Sequence, residues 1–203
     1  MNIKLEGLNK RWKEAMNIYE HCPTLENDTF LIRLIEQKDS ADLIEVYGDK
    51  LVLPFFNSDN CHGSNFYCSN MTDMENTIKY WLIEYHEYKG FVRFSIVDKQ
   101  QNKVIGTIEM FKRIATDFYT DCGLLRLDLK RDYENQESVE QILSIVSIPF
   151  FSWFECDKIA TKAPGYAVER IEALKKVGYE KREEPLIGHD GKQYYDYWLI
   201  ERT

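Results

Sequence analysis

Three consecutive segments of strand character lie in the middle of the chain, and they limit most strongly what it can fold into. Residues 91–97 are rich in β-branched and aromatic side chains, and the polar turn DKQQNK separates them from residues 104–111. In residues 121–129 leucine alternates with charged side chains, as in a strand with one buried face. Consecutive strands joined by short turns pair antiparallel, so the sequence predicts three antiparallel strands between residues 91 and 129.

Helices are predicted before and after these strands. Thr72 and Glu75 form a capping box in front of an apolar stripe of helical period, which predicts a helix over residues 73–88. A longer helix is predicted to begin near Asn135, and we expect Pro149 to kink it or to end its regular hydrogen bonding.

The remaining elements are shorter. One helix is expected to start at Asp39 or Ser40 and to stop at Gly48, and another to stop at Gly178, because glycine readily ends a helix. The other predicted strands are residues 30–34, 158–163, 179–182 and 194–200. Residues 49–70 fit neither period, and their apolar content predicts a loop that packs over the core or lines a binding site.

The first residues are predicted to form a separate element. Leu8, Trp12, Ala15, Met16 and Tyr19 fall on one helical face, which predicts an amphipathic helix over residues 7–20. The chain is therefore divided into an N-terminal helical extension, residues 1–24, and one domain, residues 25–203. Because its stripe is apolar, we expect this helix to pack on the domain or on a second copy, which would make a homodimer.

Charge and cysteine content exclude several classes of function. The net charge is −8, so charge-driven binding to nucleic acid or to anionic membranes is not expected. No apolar run approaches the ~20 residues of a membrane span, and the first residues, MNIKLEGLNKRWKE, contain no signal-peptide core. The five scattered cysteines fit a reducing, cytoplasmic setting.

Four stretches of the sequence resemble a known family. They are FLIRLIEQKDSADLIEVYGD, FSIVDKQQNKVIGTIEMF, ALKKVGYEKRE and DGKQYYDYWLIER. Their order and spacing resemble the GNAT superfamily of acetyl-CoA-dependent N-acetyltransferases, and within it the branch that acetylates ribosomal-protein N-termini. The resemblance covers about residues 28–202.

The resemblance implies a fold and a function. The fold class is α/β (α+β), with a mixed, mostly antiparallel sheet of about seven strands, helices on both faces and the extra N-terminal helix. The fourth and fifth strands of the family splay apart, and acetyl-CoA binds in the gap as co-substrate, without a metal. The implied function is acetylation of an amine on a protein or a small molecule. The implied coenzyme-binding residues are Leu127, Leu129, Lys130, Arg131, Asn135, Gln136 and Ser138.

The sequence departs from the family pattern where the coenzyme diphosphate should bind. The family places glycines at the start of the helix after the fourth strand, where main-chain N–H groups approach phosphates. Here Glu134 and Gln136 stand at those positions. In the next helix, Leu174 stands where some relatives have a tyrosine, and Ala167 and Arg170 where the ribosomal branch has Asn and Ser. We therefore expect weaker coenzyme binding than in relatives with the glycine loop.

Two carboxylates are candidates for the proton transfer that amine acetylation requires. Glu109 and Asp128 lie on neighbouring predicted strands, near where the resemblance places the amine. Strand alternation puts Glu109 on one face with Ile105 and Thr107. Either carboxylate could instead be solvated or paired with a basic residue: Arg93, Arg113 or Arg126.

Aromatic residues are the candidates for binding the acceptor. Phe55, Phe56, Phe66 and Tyr67 in the long loop are predicted to form one wall, and Tyr195 and Tyr197 of the last strand the other. Core packing is the alternative for all six. The irregular spacing of Cys61, His62 and Cys68 argues against a zinc site.

Two other functions stay open at this point. The domain could be a degenerate member of the family that binds a ligand or a partner without acetyl transfer. It could also be a structural interaction domain that dimerises through its N-terminal helix. Binding of coenzyme A separates the first function from both alternatives.

Overall fold

The computed structural model describes residues 17–202, and its main element is an eight-stranded sheet. The strands are β1 (Leu25–Glu26), β2 (Phe30–Leu34), β3 (Val92–Asp98), β4 (Lys103–Arg113), β5 (Cys122–Leu129), β6 (Lys158–Lys162), β7 (Glu180–Lys181), β8 (Leu186–Ile187), β9 (Gln193–Tyr194) and β10 (Tyr197–Glu201). The helices are α1 (Ser40–Tyr47), α2 (Met71–Ile83), α3 (Gln136–Trp153) and α4 (Val168–Val177). A π-helical turn, Glu84–Tyr88, extends α2, and short 3-10 turns cover Gln37–Asp39, Leu53–Phe55 and Arg131–Tyr133.

The strand order of the large sheet is β1-β2-β3-β4-β5-β6-β10-β7, and β8 pairs with β9 in a separate ribbon. All pairs are antiparallel except β5 with β6, which is parallel. This confirms the mixed, mostly antiparallel sheet and the three antiparallel strands between residues 91 and 129. The sheet has one strand more than expected, because the two-residue β1 is too short to give a periodic signal.

Helices cover both faces of the sheet, as expected. α1 and α2 bury one apolar cluster that includes Tyr47, Met74 and Trp81. α3 and α4 pack on the other face over the larger core, which includes Val146 and Leu174. The sheet is thus covered on both sides, which explains why its central strands are almost continuously buried, including their charged residues.

A β-bulge corrects the predicted alternation along β4. The register with β3 shifts between Ile96 and Val97, so that Gly106 pairs with Ile96 and Val104 with Val97. Ile105 is the extra residue, and it packs in the α3 side of the core, not with Thr107 and Glu109 on the other face.

Two predicted boundaries are also wrong. The N-cap of α2 is Asn70, whose side chain accepts the Asp73 N–H at 3.0 Å, so Thr72 already lies within the helix. The strand predicted over residues 194–200 is broken at Asp196, whose φ of +67° turns the chain between β9 and β10. In an unbroken strand Tyr194 and Tyr197 would point to opposite faces, but with the break at Asp196 they pack in the same cluster.

The ends of α1 and α4 and the start of α3 are as expected. α1 stops at Gly48 and α4 at Gly178, which has a φ of +100°. α3 starts after Asn135 but continues past Pro149 to Trp153, so the proline does not end it. Of the helix predicted over residues 7–20, the part before residue 17 lies outside the described residues, and residues 18–20 form a turn.

Candidate active site and coenzyme gap

A gap opens between β5 and β6 because the two strands pair over only half of β5. Residues 122–125 pair with residues 158–161, and residues 126–129 have no strand partner on that side within residues 17–202. The Lys130 N–H donates to the Ile105 carbonyl at 2.7 Å, toward β4. Since main-chain groups alternate in direction along a strand, those of Leu127 and Leu129 face the gap. The splayed strands expected from the resemblance are present.

A buried ion pair lies at the end of this gap. The Arg170 guanidinium contacts both carboxylate oxygens of Glu134, with 3.2 Å from Nε to Oε2, and the side chains are 3% and 5% exposed. Arg170 Nη1 also donates to the Phe55 carbonyl at 3.2 Å. Burial raises the pKa of Glu134, although Arg170 and the Leu129 main-chain N–H act in the opposite direction. The Glu134 carboxylate therefore lies beside the gap-facing edge of β5.

Main-chain N–H groups at the start of α3 donate hydrogen bonds to side chains of the same chain. The Gln136 N–H donates to Glu169 Oε2 at 3.0 Å, and the Ser138 N–H donates to Asn135 Oδ1 at 3.0 Å. These are two of the orphan N–H groups that would otherwise attract an anion. In this arrangement a carboxylate of α4, Glu169, occupies the N-terminal end of α3, where the resemblance implies the coenzyme diphosphate.

The two basic residues predicted to help hold the coenzyme also have acidic partners. Lys130 Nζ lies 2.6 Å from Glu45 Oε2, and Arg131 Nε lies 3.6 Å from Asp49 Oδ2. Both side chains are partly exposed, so these pairs are weak and open to exchange.

A row of charged residues crosses three strands on the α1–α2 face of the sheet. Register places Arg93 opposite Glu109 and Glu109 opposite Arg126. Arg93 pairs with Glu109, and Arg126 Nη1 lies 2.7 Å from Glu109 Oε1. Burial opposes ionisation, but the two guanidinium groups hold the pKa of Glu109 below its usual range.

Asp128 lies in the same network, two residues after Arg126 on β5 and opposite Thr107. Its Oδ2 accepts from Tyr47 Oη at 2.9 Å and from Arg93 Nη1 at 3.1 Å. The Tyr47 hydroxyl is also 2.7 Å from Thr107 Oγ1. Burial raises the pKa of Asp128 despite the opposing charge of Arg93, and among residues 17–202 its Oδ1 has no hydrogen-bond partner. Both candidate carboxylates are thus paired with arginine, the alternative that the sequence left open.

A cleft of about 690 Å³ opens onto this network from the side of α2. Glu109 and Arg126 reach its floor, and Phe66, Tyr80 and Trp81 contribute aromatic walls. Trp81 also stacks on the Arg93 guanidinium, 4.0 Å from the ring centroid. The cleft therefore offers aromatic surface together with a carboxylate that is held in place.

The six aromatic residues predicted to bind the acceptor do not meet in one place. Phe66 lines the cleft, and Phe56 packs in the core against Tyr47. Phe55 lies edge-on to Tyr166, and Tyr67 and Tyr195 are 39% and 50% exposed. Tyr197 is buried and donates to Asp59. A role for these residues in binding an acceptor stays a prediction.

The long loop is tied down beside the gap through residues that sequence reasoning did not single out. The Asp59 carboxylate lies 2.6 Å from Lys162 Nζ, at the end of β6. The main-chain carbonyl of Asp59 accepts a hydrogen bond from Arg126 Nη2 at 3.1 Å. Asn57 donates to Tyr197 Oη at 3.3 Å. No local pattern in the sequence reveals these contacts, because the partners lie 67 to 140 positions apart.

Within the described part of the chain, no cluster of His, Cys, Asp and Glu has the arrangement of a metal site. The five cysteines are free thiols. Among the helices of residues 17–202, none combines the length and the apolar character that crossing a membrane requires.

Solved structures show which fold this is. An acetyltransferase (GNAT family) from Bacillus anthracis superposes with a TM-score of 0.64 at 13% identity, covering 88% of this chain and 98% of that one. Mycobacterium smegmatis RimJ in complex with CoA-disulfide gives 0.62 at 13% identity, over 87% and 84%. The ribosomal-protein-S5-alanine acetyltransferase from Vibrio fischeri gives 0.57 at 18% identity, over 87% and 94%. The chain has the GNAT fold.

Sequence comparison adds no closer relative. No protein-family model matches the chain, and no curated protein matches it. At these identities the likeness establishes the fold, and the activity has to be argued from the residues of the site.

Proposed function

We propose that this chain is an acetyl-CoA-dependent N-acetyltransferase that acts on a cationic amine. The observation that carries the proposal is the meeting of two features: the open edge of β5, at Leu127 and Leu129, and the buried carboxylates Glu109 and Asp128 on the adjacent sheet face. Acetyl transfer to an amine requires both a place for the thioester and a group that accepts a proton. The structure of RimJ with CoA-disulfide supports the first requirement by analogy of fold.

The residues present fit one part of the coenzyme better than the other. The main-chain edge at Leu127 and Leu129, which no strand of the described residues covers, suits the amide groups of the pantetheine arm. The diphosphate fits poorly, because the two groups that would hold an anion already have acidic partners. The Arg170 guanidinium is paired with Glu134, and the Gln136 N–H at the start of α3 donates to Glu169. Bound acetyl-CoA would supply an acetyl thioester, and we expect it to bind weakly.

The cleft is the proposed place of the acceptor. The net charge of −8 and the lining carboxylate Glu84 favour a cationic amine over an acidic one, while the charge of Glu109 is offset by Arg93 and Arg126. The aromatic side chains of Tyr80 and Trp81 can contact the ammonium or its apolar neighbours. The choice between a protein amine and a small-molecule amine is left to the acceptor panel below.

The two carboxylates have different proposed roles. Glu109 stays ionised between Arg93 and Arg126 and reaches the cleft, so it positions the amine. Asp128 is fully buried behind the cleft, has a raised pKa and has an oxygen without a partner among the described residues, so it is the more basic of the two carboxylates and the proposed proton acceptor. The Tyr47 hydroxyl and Arg93 connect the two groups.

Thermal unfolding with and without acetyl-CoA, followed by acetyl transfer to a panel of amines, tests the proposal. A concentration 100-fold above the dissociation constant adds about 2.7 kcal/mol of stability. We expect stabilisation by acetyl-CoA and faster transfer to polycationic amines than to acidic peptides at low salt. Stabilisation without transfer to any amine would instead favour a second candidate.

The second candidate is a GNAT-fold domain that binds a ligand or partner without acetyl transfer. The Glu134–Arg170 pair and the Glu169 cap favour it, because both occupy the anion positions with the chain's own groups. Dimerisation through the N-terminal helix, a prediction that falls on residues outside the described part, would suit either candidate. Sedimentation of the full chain and of a variant lacking residues 1–16 measures it.

A further inference from the structure

Arg170 is bound in a way that resembles an arginine holding an anion. Its guanidinium is 3% exposed and contacts both oxygens of the Glu134 carboxylate. A planar guanidinium binds carboxylates and phosphates with the same two-pronged geometry. The partner of Arg170 could therefore be exchanged for a phosphate without moving the arginine.

The partner carboxylate comes from a residue that is not held in a helix. Glu134 lies between the 3-10 turn Arg131–Tyr133 and the N-cap of α3, with φ −76° and ψ 52°. Rotation there moves the side chain without removing hydrogen bonds of α3. Arg170, in contrast, is fixed within the first turn of α4 and through the Phe55 carbonyl.

The position of the pair links it to the coenzyme gap. Glu134 lies five residues after the end of β5, and Glu169, the residue before Arg170 in α4, accepts a hydrogen bond from the Gln136 N–H at the start of α3. The other two basic residues nearby are on the surface, 34% and 59% exposed, and are paired with acidic residues of α1 and the residues after it. Arg170 is the buried cation of this region of the described chain.

We propose that Arg170 is the residue that binds the coenzyme diphosphate, and that the Glu134 carboxylate occupies its place until the coenzyme displaces it. The proposal rests on the proposed function, since it assumes that acetyl-CoA binds in the gap. A thioester without phosphates, such as acetyl-pantetheine, has no group that could replace Glu134 at Arg170. The diphosphate would therefore determine which acetyl thioester the chain binds as acetyl donor.

Calorimetric titration of the full chain with acetyl-CoA and with acetyl-pantetheine tests this. Glu134→Gln removes the competing charge, and we expect it to tighten acetyl-CoA binding about tenfold, as for loss of one charged contact, while acetyl-pantetheine binding changes less than about threefold. The matched control is Glu137→Gln. It removes an equal charge from an exposed residue in the first turn of α3, and acetyl-CoA binding should change by less than about threefold.

The double variant Glu134→Gln with Arg170→Met completes the test. It leaves no unpaired buried charge, so it should fold, and it should lose the tenfold gain. If Glu134→Gln and Glu137→Gln tighten acetyl-CoA binding equally, or if the double variant keeps the gain, the inference is wrong although the proposed function stands. If neither the natural chain nor any variant binds either thioester, the inference and the proposed function both fail.

Discussion

Two buried groups of charges differ in how the chain holds them together. The row Arg93, Glu109 and Arg126 lies on three adjacent strands, and strand register alone brings its members side by side. The pair Glu134 and Arg170 joins two segments 36 positions apart, the turn before α3 and the first turn of α4. The first group is fixed by the sheet, whereas the second can be opened by moving one side chain.

This difference suggests different uses for similar chemistry. A buried charge in the strand network cannot be removed without leaving its partners unpaired, so the network should stabilise the site and keep its geometry. The Glu134–Arg170 pair has an alternative partner for Arg170 available in the proposed function. Stability measurements should therefore separate the two groups even without a ligand.

The largest expected effect comes from Arg93→Met. The substitution leaves the carboxylates of Glu109 and Asp128 buried near each other with only Arg126 to compensate. We expect the free energy of unfolding, measured in urea, to fall by about 3–5 kcal/mol. The exposed Arg131→Met is the control, and a loss as large as that of Arg93→Met would contradict the comparison.

A smaller effect is expected for Glu134→Gln. The amide keeps the shape of the side chain, can still hydrogen-bond Arg170 and removes a charge that burial disfavours, so the free energy of unfolding at pH 7 should change by less than about 1 kcal/mol. The double variant with Arg170→Met should be no less stable than Glu134→Gln, because the unpaired cation is gone. A loss above that of Arg93→Met would show that this pair is the more rigid of the two.

The pH dependence of stability should differ in sign between the groups. The lowered pKa of Glu109 stabilises the folded state above its unfolded value near 4.5, and this stabilisation is lost as the pH falls through the folded value. Glu134 behaves oppositely, because a raised pKa means that the folded state binds the proton more tightly and loses stability as the pH rises above about 4.5. Urea unfolding from pH 2.5 to 8 of the natural chain, Glu109→Gln and Glu134→Gln measures this, and parallel curves for the two variants would contradict it.

The smallest effect is expected for Lys130→Met. Its ion pair with Glu45 is partly exposed, so its loss should change the free energy of unfolding by less than about 1 kcal/mol. It should also change acetyl-CoA binding less than Arg170→Met does in the Glu134→Gln background. An equal effect of Lys130 would show that the surface cations hold the diphosphate.

The sequence predicts the sheet well because its signals are local. Alternation, turn residues and the glycines Gly48 and Gly178 give strands and helix ends within a few residues of their observed bounds. Elements fail where one residue breaks a period, as at the Ile105 bulge and at Asp196. A one-residue bulge or turn does not produce a periodic pattern in the sequence, so neither change of backbone direction could be predicted.

The site is predicted only in part because its contacts are long-range. Glu109 and Asp128 follow from alternation on neighbouring strands, and the sequence leaves open that they pair with Arg93 and Arg126. The partnership of Glu134 with Arg170 depends on how α4 packs beside α3, which no local pattern specifies. The sequence shows that glycines are missing near the start of α3, but not that an arginine compensates the carboxylate there.

A crystal structure of the natural chain with bound coenzyme A tests the central claim most directly. Our account predicts that a guanidinium nitrogen of Arg170 lies within hydrogen-bond distance of a diphosphate oxygen, and that the Glu134 carboxylate has left both Arg170 and the Leu129 N–H. Coenzyme A bound in the gap with the Glu134–Arg170 pair intact would contradict it.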